Sequence, residues 1–209
     1  MTANLVGAYS TDILSKFDTL VSDIFADFND PIRTYQYEAY YADRDTVMRI
    51  GIRLAGLVCL HEGSTITEIG TDSGFGALTL ALFSKNCEVY SCDIREESII
   101  EAKKRANRLD INNVHFVHGD VDALAAALPS RATFAHVDAH HTKEACLRDL
   151  EGIYPYLFGR ATLVVDDVDE ANGVRSAVDE FLQNHPELIH VPTYYNFWVL
   201  RNGLEAKRR

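Results

Sequence analysis

Acidic side chains recur in this sequence at one kind of place. Glu68, Asp93, Asp138 and the pair Asp166-Asp167 each stand at the end of a short apolar, β-branched run, and Asp120 follows another. Carboxylates so placed can accept hydrogen bonds from ligand hydroxyls and amines, hold a hard cation, or cap the helix that follows. Asp138, Asp166 and Asp167 form an oxygen-only set, which suits Mg2+ or Ca2+ rather than a soft metal. Helix capping is the ordinary reading for the single acids and fits the Asp166-Asp167 pair less easily. His140 and His141 come directly after Asp138 and Ala139. Imidazole titrates near neutral pH and can take a proton in catalysis, although exposed loop histidines are equally ordinary.

The second chemical feature is the stretch Glu68-Ile69-Gly70-Thr71-Asp72-Ser73-Gly74-Phe75-Gly76. Glycines stand where backbone must turn with positive φ or where a ligand lies against the main chain. A dinucleotide fingerprint beginning at Gly70 would need glycine at positions 72 and 75, where Asp72 and Phe75 stand instead. The frame that fits is acid-x-Gly-x-x-x-Gly-x-Gly. Asp72 would be a poor neighbour for a pyrophosphate and a tolerable one for a sulfonium or ammonium ligand, and aspartate tolerates left-handed backbone.

Elements of a particular kind are needed to bring these residues together. Strands are expected at Thr65–Glu68, Glu88–Asp93, Asn113–His118, Thr133–Asp138 and Ala161–Asp167, with a terminal hairpin near Ile189–Val191 and Phe197–Leu200. Helices are expected at Thr11–Phe28, Asp45–Leu60, Ala77–Leu82, Ile94–Leu109, Ala123–Leu128, Thr142–Phe158 and Glu170–Asn184, with Glu101 four residues before Arg105 as a supporting pair. Alternation of this sort implies an α/β, doubly wound, Rossmann-like sheet of seven strands, parallel apart from an antiparallel C-terminal strand, with an N-terminal helical extension. The chain reads as a single domain over 1–209. Residues 1–62 supply helices and a lid, and residues 63–209 supply a cofactor-binding core. Tyr35, Tyr37, Tyr40 and Tyr41 suit either a packed interface or a lid over substrate.

Composition narrows the partners. The 209 residues carry a formal net charge of −11, with an isoelectric point near 5.1. Such a surface disfavours nucleic acid. No apolar run approaches a membrane span, and the N-terminus has no basic leader segment. Cys59, Cys87, Cys92 and Cys146 lack metal-type spacing and read as reduced thiols of a cytoplasmic protein, with a zinc site the weaker alternative. The apolar face of the first helix and the tyrosines suggest a homodimer or larger assembly.

The glycine turn resembles motif I of the class I S-adenosylmethionine-dependent methyltransferases, with Asp72 in place of the middle glycine. Val137-Asp138-Ala139-His140-His141 and Leu163-Val164-Val165-Asp166-Asp167-Val168 resemble the metal segments of small-molecule O-methyltransferases. The macrocin-type sugar enzymes are nearest in pattern, and the catechol and caffeoyl-coenzyme A enzymes are more distant. The likeness covers about Ile66 to Asn202. It implies S-adenosylmethionine held by Glu68, Gly70, Thr71, Ser73, Gly74, Gly76, Asp93, Ile94, Asp120, Val121 and Asp138. It implies Mg2+ or a similar divalent cation on Asp138, Asp166 and Asp167, His140 or His141 as base, and a small hydroxylated acceptor. Two departures are Phe158-Gly159-Arg160 for the usual Pro-Gly-Gly, expected to alter only a loop, and His140 for the second acid of Asp-Gly-Asp. The rival readings are a metal-independent methyltransferase acting on nitrogen, carbon or a protein side chain, and a non-catalytic binder of the cofactor.

Overall fold

The computed structural model describes residues 9–28, 43–168, 173–191 and 198–202. Five strands run parallel: β1 (Thr65–Ile69), β2 (Glu88–Asp93), β3 (Val114–His118), β4 (Ala132–Val137) and β5 (Leu157–Val165). The hairpin strands β6 (Leu188–Val191) and β7 (Trp198–Asn202) complete a seven-stranded sheet of order β3-β2-β1-β4-β5-β7-β6, in which β7 lies antiparallel to both neighbours. The strand order reverses between β1 and β4, and in doubly wound sheets ligands bind beyond the carboxyl ends of the strands at that point. The tyrosine cluster at positions 35–41 lies outside the described residues.

Two helices precede the sheet, α1 (Thr11–Phe28) and α2 (Arg44–Val58). Phe17, Leu20, Val21 and Ile24 of α1, together with Val47, Leu54, Ala55 and Val58 of α2, are buried in the same core as Ile66, Phe134 and Val164 of the sheet. The apolar face of α1 is therefore covered within the protomer, and a second subunit is not needed to cover it. The opposite face of the sheet packs under α5 (Val121–Ala127), α6 (Lys143–Ile153) and α7 (Val174–Asn184), whose buried residues include Leu124, Leu150, Ile153 and Phe181. The remaining helices are α3 (Phe75–Phe83) and α4 (Glu96–Arg108). Among the described residues no helix is long and apolar enough to cross a membrane.

Three sequence expectations are corrected. The helix expected to run to Phe158 ends at Ile153, and a single 3-10 turn, Tyr154–Tyr156, follows. Pro155 has no N–H with which to continue the α-helical ladder. Consequently Phe158-Gly159-Arg160 is not a loop but part of β5, where the pairing with β4 is irregular between Ala132 and Phe134. Third, Arg105 is not a surface partner of Glu101. It lies on the buried face of α4 with Ala102 and Ala106 and is only 6% exposed. Its guanidinium bonds the Ser73 carbonyl and the Asp27 carboxylate, while Glu101 accepts from Lys104 at 2.9 Å.

Candidate active site

The glycine turn links β1 to α3 at the point where the strand order reverses. Gly70 and Thr71 both donate their N–H to the Cys92 carbonyl, at 2.9 and 3.0 Å, and the Gly74 N–H closes the turn onto the Thr71 carbonyl at 2.7 Å. Gly70 has φ of 99°, and a Cβ there would collide with the Asp138 carbonyl, so glycine is required. Asp72 adopts φ of 40°, the left-handed region that aspartate tolerates. Its N–H donates to Asp93 Oδ2 at 2.8 Å, and its carboxylate pairs with Arg95 at 2.7 Å.

A polar row runs across the sheet beneath this turn. Ser91 on β2 donates to Glu68 Oε2 at 2.6 Å, and Glu68 Oε1 lies 3.1 Å from His136 Nδ1 on β4. Glu68 and His136 are register partners across β1 and β4, which puts both on one face. Ser91 also bonds the Thr71 hydroxyl at 2.6 Å. Glu68 is fully buried and Gly76 lies directly against it: a Cβ on Gly76 would overlap Glu68 Oε1.

Further along the same edges stand the acids. Asp138 donates its N–H to the Ile69 carbonyl at 2.9 Å, and Asp166 donates its own to the Val137 carbonyl at 3.0 Å. Both side chains are half-buried. Burial raises the Asp138 carboxyl, His136 opposes the rise, and the charges of Asp167 and Glu68 add to it, leaving it at about 6. Burial and then the Asp138 charge hold Asp166 well above the usual carboxylate range. Burial lowers His136, but the hydrogen bond to Glu68 and the charges of Asp138 and Asp166 outweigh it and raise the ring to about 9.

Asp138, Asp166 and Asp167 are distributed over two groups. One ligand atom each of His136, Asp138 and Asp166 lies within 4.8 Å of the others, and the same holds for Asp138, His141 and Asp167. Consecutive residues leaving a strand point to opposite sides, and Asp167 turns further with φ of 51°. His141 Nε2 is 3.4 Å from Asp167 Oδ2, with both side chains about half exposed. His140 is exposed and lies in neither group.

The remaining candidates lie toward β2 and β3. Asp93 accepts from the Arg95 N–H at 2.8 Å as well as from Asp72. Ile94 is 63% exposed. Asp120 caps α5, accepting from the Asp122 and Ala123 N–H groups, and pairs with Arg148. Val121 is buried.

Three participants were missed in the sequence. His136 reads there as one polar residue inside a strand; its spacing of two from Asp138 is the signal that sets both on one face. Val47, Ile50 and Leu54 of α2 line the same cleft as Glu68, Gly70, Thr71, Asp72, Ser73, Phe75, Gly76, His136, Asp138 and Asp166. The third, Arg105, carried no sequence signal of an inward turn.

A seven-stranded sheet with this order and a glycine turn at the strand reversal defines a Rossmann-like methyltransferase fold. Residues 67–168 match the family model of a methyltransferase domain. The crystal structure of cofactor-bound Rv0187 from MTB has a TM-score of 0.65 at 19% identity, covering 95% of this chain and 92% of that one. The O-methyltransferase from Bacillus cereus in complex with SAH has a TM-score of 0.65 at 17% identity, covering 89% of this chain and 88% of that one. Release factor glutamine methyltransferase of Bacillus cereus is 48% identical over 56 residues, 27% of this chain and 19% of that protein. Protein-L-isoaspartate O-methyltransferase of Fervidobacterium nodosum is 35% identical over 72 residues, 32% of this chain and 36% of that protein. The matches thus span well under half of either curated relative. The fold is that of the solved O-methyltransferase, and residues 67–168, just under half of the chain, match a methyltransferase domain.

Proposed function

We propose that this protein binds S-adenosylmethionine over the glycine turn and transfers its methyl group to a hydroxyl of a small molecule. One observation carries the reading: the turn lines one cleft with Asp138 and Asp166 where the strand order reverses, and Asp138 also groups with His141 and Asp167. The Asp93 carboxylate accepts two backbone N–H groups. A carboxylate offers about four acceptor positions, so ribose hydroxyls have positions left to occupy. Exposed Ile94 offers an apolar face to the adenine, with Asp120 and Val121 nearby in the fold. Glu68, Gly70, Thr71, Ser73, Gly74 and Gly76 shape the methionine end.

Methyl transfer is an in-line displacement. The acceptor oxygen forms a bond to the methyl carbon as the carbon–sulfur bond breaks, and the sulfonium leaves as a neutral thioether. The hydroxyl proton must also leave. His141 takes it on Nδ1, the nitrogen not turned to Asp167, and the Asp167 carboxylate 3.4 Å from Nε2 steadies the imidazolium. His140 lies in neither group of clustered ligands and is assigned no step. Burial first, and neighbouring carboxylates after it, raise the Asp138 and Asp166 carboxyls, and a divalent cation would offset that charge crowding. The resemblance implies Mg2+ on Asp138, Asp166 and Asp167, but the fold groups Asp167 with His141, so Asp138 and Asp166 are the carboxylates that would hold the cation together, and it would supply a lowered hydroxyl pKa and an orienting charge.

The test is transfer from labelled S-adenosylmethionine to a panel of sugars and catechols, with the methyl ether identified by mass spectrometry. His141→Ala should lower kcat by roughly 10²–10⁴ while leaving S-adenosylhomocysteine affinity unchanged. Retained turnover in that variant would remove His141 from the mechanism. A second reading, transfer to a protein side chain without a metal, draws on the local likeness to glutamine and isoaspartate methyltransferases. It requires turnover to persist in Asp166→Asn and in chelator, whereas hydroxyl transfer should stop in both.

A further inference from the structure

The cation of that reading was expected from the sequence to sit among oxygen atoms alone, and the fold brings a nitrogen into the set. We propose that His136, Asp138 and Asp166 form a site for a first-row transition ion such as Mn2+, Co2+ or Zn2+, in preference to Mg2+. His136 and Asp138 stand two residues apart, so they share a face. Asp166 stands two residues beyond Val164, the register partner of His136 on β5. The three side chains bring ligand atoms within 4.8 Å of one another.

The orientation of the ring is set from behind. Glu68 Oε2 accepts from Ser91 at 2.6 Å, and Oε1 faces His136 Nδ1 at 3.1 Å. A carboxylate so anchored keeps the Nδ1 proton on its own side, which leaves Nε2 as the ring nitrogen able to ligate. Metal-ligating histidines are held by carboxylates in this way, which fixes the tautomer and raises the basicity of the ligating nitrogen. Imidazole suits Zn, Fe, Ni and Cu, whereas Mg2+ demands near-ideal octahedral oxygen coordination. His136 is only 2% exposed, so its ring is held in the packed sheet and not free to swing away. Charge favours occupancy as well: three carboxylates surround a single ring, and a dication with neutral imidazole offsets them better than one extra proton.

The second group, Asp138, His141 and Asp167, shares Asp138 and also contains a histidine, so the experiment must separate the two. The inference rests on a cation taking part in the proposed function, but not on methyl transfer, which the test does not measure. Metal-free full-length protein is titrated with Co2+ and followed by visible absorption. The Mn2+-loaded protein is then examined by pulsed electron paramagnetic resonance for coupling to ¹⁴N.

One Co2+ should bind per chain, be displaced by stoichiometric Zn2+, and withstand a thousandfold excess of Mg2+. The ¹⁴N coupling should survive His141→Ala and vanish in His136→Leu. Glu68→Gln should weaken Co2+ binding by roughly tenfold to a hundredfold. Because His136 is buried, the coupling in the unmodified protein keeps the test independent of how that variant folds. Displacement by Mg2+ at matching concentrations, loss of the coupling in His141→Ala, or absence of Co2+ binding would each overturn the site. A protein that binds Co2+ as described and methylates nothing would overturn the proposed function alone.

Discussion

Gly76 shows how a single atom can reverse an expectation from propensity. It lies in α3 without positive φ, where alanine would ordinarily stabilise a helix by up to about 1 kcal/mol. Here the added methyl would overlap Glu68 Oε1, and Glu68 has no room to retreat because Ser91 and His136 hold it on both sides. Gly76→Ala should therefore destabilise the fold by about 2–4 kcal/mol in chemical denaturation and weaken S-adenosylhomocysteine binding. A gain in stability would show that Glu68 is free to move.

Asp149 is a buried acid on α6. Burial raises its carboxyl, Arg148 opposes the rise, and the Asp120 charge adds to it, leaving it at about 6. Its unfolded value lies near 4. Between those pH values the folded state holds a proton that the unfolded chain has released. Stability therefore falls as pH rises through this window, and the loss is complete above about 6. Asp149→Asn should stabilise the protein at pH 7 by roughly 1–2 kcal/mol after solvent screening and do little at pH 3.5. An equal effect at both pH values would point to packing rather than charge. The buried thiols nearby follow the same logic: burial, then the Asp149 charge, pushes Cys146 up to about 12, which keeps it a neutral filler.

Among elements, the informative contact joins three segments distant in sequence. Arg105 on α4 holds the Ser73 carbonyl in the glycine turn and Asp27 near the end of α1. It thereby couples the N-terminal helices to the turn proposed to carry the cofactor. Removing one partner of a buried ion pair costs about 3–5 kcal/mol. Arg105→Met should lose much of that and weaken S-adenosylhomocysteine binding, while Arg148→Met, at an exposed pair with Asp120, should leave the denaturation midpoint nearly unchanged. Similar midpoints in the two variants would deny Arg105 its bridging role.

At this scale the sequence was informative in some places and silent in others for physical reasons. The bounds of α1 and β2 could be read directly, since local periodicity and the acid or breaker at each end determine them. The end of α6 could have been read from Pro155. Arg105 could not, because whether a charged residue turns inward depends on what a distant helix offers it. His136 entered the site through register, since its neighbour Glu68 lies 68 residues away, and pairing between strands is not encoded in either strand alone. The same limit explains why Asp166 and Asp167, adjacent in sequence, fall into different groups.

For the whole molecule, α1 and α2 close one side of the sheet while α5, α6 and α7 close the other, and the cleft opens where the strand order reverses between β1 and β4. Val47, Ile50 and Leu54 of α2 bring apolar surface to a cleft whose floor is charged. That contrast suits a ligand carrying a cationic centre on a carbon chain, and it disfavours a dinucleotide with two phosphates. Calorimetric titration of the full chain with S-adenosylhomocysteine, and separately with NAD, tests this most directly. The account predicts that S-adenosylhomocysteine binds, that NAD does not, and that Asp93→Ala weakens binding tenfold or more, about 1.5–3 kcal/mol for charge-assisted hydrogen bonds. Tight NAD binding, or S-adenosylhomocysteine affinity unchanged in Asp93→Ala, would contradict it.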